Sequence, residues 1–195
     1  MDEVIFTYNE EAALTAGQGG FITETGVHII TIAEAELKRS GKGARFIEFS
    51  GESDDGRKIQ YLSVCVKKND GTENKFGANI VHAMMGCAGI RQLTEHMVSV
   101  SKYVAPEFHG KKIGLVLQKV LTINKKTGAD SYQMEIRIPF IAETGQTLKE
   151  KAEGKKPETV ANMASTLKDK DNRSKNANPN HTDDPGYWQY GGDSF

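Results

Sequence analysis

Apolar and polar residues alternate through the middle of the chain, most clearly over residues 131–138. There Tyr132, Met134, Ile136 and Ile138 fall on one side and Gln133, Glu135 and Arg137 on the other. A period of two predicts a strand with one wet face. Residues 112–123 repeat the pattern with Ile113, Leu115, Leu117, Leu121 and Ile123 in phase, and the polar connection 124–130, which contains Gly128, makes the pair a hairpin. Three more strands are predicted upstream, at 26–37, 44–50 and 57–66. The segments between them, 38–43 and 51–56, are rich in Gly, Ser and Asp, which is turn chemistry.

One interior segment has helical spacing instead. Over residues 75–89, Phe76, Ile80, Ala83, Met84 and Cys87 recur at intervals of three and four, and Gly89 is placed to stop the helix. The order is three strands, a helix, then two strands. It predicts a mainly β fold, a five-stranded OB-fold-like barrel with the helix between strands 3 and 4 plugging one end. An open α+β sheet under one covering helix satisfies the same periodicity. Strand character ends near Gly145. The chain is therefore divided into an acidic N-terminal arm (1–24), a barrel domain (25–145), a flexible linker (146–180) with a transient helix near Pro157–Leu167, and a tail (181–195).

Charge sharpens this division. The 195 residues carry a net charge of −1, yet residues 1–24 hold five acids and no base, while residues 25–141 hold 17 Lys+Arg against 12 Asp+Glu. A basic body between acidic ends suits a protein that handles a polyanion and limits nonspecific contact. The last thirteen residues contain no Lys or Arg. They do contain Asp183, Asp184 and Asp193 with Tyr187, Tyr190, the sole tryptophan Trp188 and the terminal Phe195, in a Gly- and Pro-containing setting that cannot form a core. This composition predicts a disordered, acidic, aromatic tail made to be bound by a partner, with Asp183, Asp184, Tyr187, Trp188, Asp193 and Phe195 as the contacting residues. No charged-then-apolar leader and no apolar run near 18 residues is present, so a cytoplasmic protein without membrane contact is expected. Cys65 and Cys87 sit among apolar neighbours and read as reduced core residues.

Catalytic patterns fail one by one. Glu36-Leu37-Lys38 has a spacing used by some metal-dependent nucleases but lacks a partner aspartate. Cys65, His82, Cys87 and His96 offer neither Cys-x-x-Cys nor His-x-x-x-His, and no phosphate-cradling Gly loop or Gly-x-Ser-x-Gly elbow occurs. A non-enzyme with no metal or cofactor is expected. Cations, by contrast, cluster where the oligonucleotide groove of an OB barrel lies, on strands 2 and 3 and the loops joining strands 1–2 and 4–5. Lys38, Arg39 and Lys42 occupy the first loop, Arg45 opens the second strand, Arg57, Lys58 and Lys67 bracket the third, and Lys125 and Lys126 lie in the last hairpin. Phe46, Phe49, Tyr61 and Tyr132 are interleaved with them. Phe46 and Phe49 fall on opposite faces, which puts at least one in the core, and Tyr61 lies on the opposite parity from Leu62, Val64 and Val66, so it is the preferred base-stacking residue.

Residues 20–141 resemble phage-encoded single-stranded DNA-binding proteins. The likeness rests on the opening strand Thr25–Glu36, the Lys-Asn-Asp-Gly turn at 68–71, the helix Phe76–Ile90 and the segment Gly110–Lys119. The tail is similar to the acidic, Phe-ending tails of bacterial and phage single-stranded DNA-binding proteins, although the bacterial Ile-Pro-Phe ending is absent. The resemblance implies an OB fold that coats single-stranded DNA during phage replication and recombination in the host cytoplasm, with replication or recombination proteins recruited by the tail. A homodimer is compatible with the sequence. A metal-dependent nuclease, a recombination accessory enzyme and a protein-only adaptor are the alternatives.

Overall fold

The computed structural model describes residues 7–10 and 19–173. Three strands come first: β1 (Gly26–Arg39), β2 (Arg45–Ser53) and β3 (Lys58–Lys67). Helix α1 (Lys75–Cys87) follows, then the short hairpin β4 (His96–Ser99) and β5 (Lys102–Val104), then the long hairpin β6 (Lys112–Ile123) and β7 (Asp130–Phe140). Helices α2 (Leu148–Ala152) and α3 (Thr159–Thr166) and the two-residue β8 (Lys170–Asp171) complete the described chain. All five predicted strands and the predicted helix are present. The short β4 and β5 carry too few residues for alternation to register.

The fold is mainly β, an open, almost wholly antiparallel sheet of eight strands with few helices. β1 is its hub. It pairs with β2 along one edge, and with β6 and then β5 along the other. β2 carries β3, and β6 carries β7, so the principal path runs β3-β2-β1-β6-β7. Two successive antiparallel steps on either side leave β3 and β7 pointing the same way as β1. No backbone ladder joins β3 to β7 among the described residues, and the closed barrel expected from the sequence is not drawn by these pairings.

Alternation places the core. Ile30, Ile32 and Ala35 of β1, Ile47 and Phe49 of β2, Leu62 of β3, Ile113, Leu115 and Leu117 of β6, and Met134 and Ile136 of β7 meet the helix residues Ile80, Val81 and Met84. A register shift between Ile32 and Glu34 moves the inward series from 32 to 35, as a bulge does. Phe49 is fully buried and meets the Phe108 ring edge-on, with centroids 5.1 Å apart. The helix face differs from the expected one. Gly77, Ile80, Val81 and Met84 point inward, and Phe76 is exposed. Gly77 is the reason: a β-carbon there would overlap the Cys65 carbonyl oxygen, so only glycine lets the first turn lie against β3.

Ile138 does not share a face with Tyr132, Met134 and Ile136. The β6–β7 register slips between Val116 and Leu117, which opposes Ile138 to Val116 and turns it toward a second cluster. A slip of one residue reverses which face a side chain takes. The reading of 146–180 as a flexible linker also fails over residues 146–173, since Val160, Met163 and Leu167 lie against Val116, Phe140, Ile29 and Ile138. Without that cover the second face of β6 would expose an apolar strip. The transient helix expected near Pro157–Leu167 is α3, and it is packed. Thr147 and Glu150 fix the preceding turn as a reciprocal capping box. The N-terminal arm is likewise not separate throughout, because Ile22 is buried and residues 20–22 bond to Lys58 of β3.

Candidate nucleic-acid interface

The seam between β3 and β7 is a groove. Its first half is a cavity of about 270 Å³ walled by Phe21, Lys58, Tyr61 and Tyr132. Its second half, about 290 Å³, is walled by Phe46, Tyr61, Ser63, Phe76 and residues 133–136 of β7. Because β3 and β7 run in the same direction, both halves are crossed in sequence order, and Ile59 to Cys65 covers about 20 Å at the rise of about 3.3 Å per strand residue.

Four large aromatics along this groove face solvent: Phe21 at 54% exposure, Tyr61 at 74%, Phe76 at 38% and Tyr132 at 43%. Phe21 is brought there by its bridge to Lys58, with the Ile22 amide donating to the Lys58 carbonyl at 2.9 Å and the Lys58 amide to the Gly20 carbonyl at 2.8 Å. Phe76 reaches it because Asn74 caps α1 by accepting from the Gly77 amide, which starts the helix directly beside Cys65. Tyr61 is placed by a bulge. The β2–β3 register jumps from Phe49↔Leu62 to Gly51↔Ile59, and Tyr61 takes a left-handed backbone with φ 58°. For a bulky residue that conformation costs about 1–3 kcal/mol.

Cations stand at both ends. At one end Lys58 lines the groove, the ammonium of Lys119 sits 4.8 Å from the centroid of the Tyr132 ring, and the turn bearing Lys125 and Lys126 leads into β7. At the other end Arg39, Arg45 and Lys67 lie abreast on β1, β2 and β3, directly opposite one another in register. Like charges placed so destabilise a sheet, a cost that an anion over the row would relieve. Lys42 lies in the adjoining β1–β2 turn.

Two predicted cations are already occupied. Lys38 donates to Glu48 at 2.5 Å and lies 3.7 Å from Glu36, and the Glu48 hydrogen bond raises its pKa. Arg57 is paired with Glu24 and, at 2.8 Å, with Asp55. On the outer face of β1 and β2 Lys38 is thus held by two carboxylates, whereas Lys58 and Lys119 stand at one end of the seam and Arg39, Arg45 and Lys67 at the other. Of the aromatic pair on β2, Phe49 is the core residue and Phe46 the groove residue.

Sequence reasoning missed Phe21, Phe76 and Lys119. Phe21 and Ile22 form an apolar pair just before the first strand, which was the available signal. Cys65 was read as core but alternates with Val64 and lines the groove, whereas Cys87 packs on the core and burial pushes its thiol up to about 11. Asp183, Asp184, Tyr187, Trp188, Asp193 and Phe195 lie outside the described residues. Among the described residues, no group of three or more His, Cys, Asp or Glu could hold a metal ion, and no helix is long and apolar enough to cross a membrane. No protein-family model matches this chain, and no curated protein matches it at a significant level.

Proposed function

We propose that this chain binds single-stranded DNA, with little sequence preference, along the seam between β3 and β7. The row of exposed aromatics between two cationic ends is the observation that carries the reading. Stacking on aromatics accepts any base, and a cationic track follows the backbone. On this reading β1, β2, β3, β6 and β7 act as the five strands of an OB-like barrel, with α1 covering the end of the seam. The resemblance noted in the sequence supplies the setting, phage replication and recombination in the host cytoplasm, with protection of the strand rather than chemistry on it. The acidic, aromatic residues 181–195 serve to recruit a replication or recombination protein.

Fluorescence anisotropy with labelled oligo-dT and the matching duplex, across salt and with or without Mg²⁺, tests the reading. Tighter binding of the single strand, weakening by about 0.7 in log affinity per log salt for each phosphate neutralised, is expected. Equal affinity for duplex defeats it. Mg²⁺-dependent loss of the oligonucleotide indicates a nuclease, and absence of binding at low salt indicates a protein-only adaptor.

A further inference from the structure

Tyr61 borders both halves of the groove, and its placement is not what an uninterrupted strand would give. Continued alternation through Gln60 and Tyr61 would keep β3 in register with β2. Instead the bulge inserts a residue, the backbone takes φ 58°, and the ring stands 74% exposed between the two cavities. The first cavity is also lined by Phe21 and Tyr132, and the second by Phe46 and Phe76. Each cavity therefore has aromatics in its lining besides Tyr61, which is common to both.

We infer that Tyr61 is a two-sided stacking post dividing two adjacent nucleobase subsites, so that consecutive bases of one strand enter on either side of its ring. This rests on the single-strand reading above and specifies where that strand is gripped. Cavity size fits the assignment. At about 270 and 290 Å³ each half lies just below the roughly 300–1,000 Å³ of pockets that take drug-sized ligands, which suits one planar base apiece. Charge fits it too, since Lys58 and Lys119 flank the first subsite and the Arg39–Arg45–Lys67 row lies toward the end of β3 beyond the second. The bases need not be specified by their edges. Gln133, which borders both subsites, already donates its amide to Glu135 at 3.0 Å.

The backbone conformation supplies an unusually clean test. Glycine adopts φ near +58° without steric cost, so Tyr61→Gly removes the ring while easing the local backbone, and the fold should survive. Two probes are compared by anisotropy: a short oligo-dT, and the same oligonucleotide with two adjacent central abasic sites. The wild type is expected to favour the intact probe by at least about 5-fold, the lower end expected for losing a stacked base. Tyr61→Gly should bind the intact probe correspondingly less well and lose the preference, with an unchanged or higher melting temperature. Tyr61→Phe, which keeps the ring, should restore the preference. If the wild type binds no oligo-dT, the single-strand reading itself falls and this inference with it. If the wild type binds but Tyr61→Gly retains both affinity and preference, only the stacking post is overturned. A lower melting temperature with the preference intact makes Tyr61 a structural residue. Binding of a synthetic peptide of residues 181–195 that Tyr61→Gly abolishes, with oligo-dT unaffected, assigns the groove to peptide and overturns the inference.

Discussion

Lys38 on β1 and Glu48 on β2 are joined across the strand pair at 2.5 Å, and Glu36 lies 3.7 Å from the same ammonium. A cation so held contributes little to a phosphate track, and its partners repel one. Glu48→Gln should therefore tighten oligo-dT binding and steepen the salt slope toward one further phosphate, about 0.7. Anisotropy titrations between about 50 and 200 mM NaCl check this. An unchanged slope would place Lys38 beyond reach of the strand.

Gly77 tests how the groove is floored. A β-carbon there would collide with backbone of β3 rather than with a movable side chain, so Gly77→Ala must shift α1. The expected loss is about 1–3 kcal/mol, typical of overpacking, read as a lower urea midpoint. Because Phe76 moves with the helix, oligo-dT binding should fall as well.

The segment after β7 should respond to acid. Glu150 accepts from the Thr159 hydroxyl and amide, both at 2.7 Å, and from the Thr147 amide at 2.8 Å. These bonds, with the Thr159 hydroxyl foremost, lower its pKa from 4.5 to about 2. A depressed carboxylate stabilises the fold fully above its unfolded value and loses that contribution as pH falls through the folded one. Urea midpoints should thus decline between pH 4.5 and about 2, and Glu150→Gln should flatten that decline. Thr147→Ala, which removes the capping hydroxyl, should cost about 1 kcal/mol at neutral pH.

The two thiols should separate chemically. Cys87 is held neutral by burial, with its pKa near 11, while Cys65 lies in the groove wall. Alkylation at pH 8 followed by peptide mass mapping should find Cys65 modified first. Bound oligo-dT should slow that reaction, and a bulky maleimide on Cys65 should weaken binding in turn.

The sheet was legible because burial on one face writes a period of two into β2, β3 and β7. The groove was only partly so. Tyr61 stands out by parity, yet the bulge that turns it outward leaves no mark in the pattern, because Gln60 and Tyr61 read as ordinary strand residues. Phe76 looked like core since it falls on the helical stripe, and only the contact between Gly77 and Cys65 rotates that stripe away. The packing of 146–173 was written faintly in Val160, Met163 and Leu167, whose spacing of three and four was masked by surrounding Lys, Glu and Asn. What they cover, the second face of β6, was visible in Val116 but could be assigned to nothing until the partner was known.

That second face also bears on synthesis. β6 is buried on both sides, by the main core and by α3, and its two coverings lie on opposite sides of it in the sequence. A chain emerging from the ribosome N-terminus first completes the long β6–β7 hairpin when Phe140 appears, but still leaves Val116 and Phe140 bare until Val160 follows. Domains are generally made at about 5–20 residues per second, so a nascent chain spends seconds with an apolar strip uncovered. During that interval the growing polypeptide is open to chaperones or to neighbouring chains on the same messenger, and residues 159–167 are what close it.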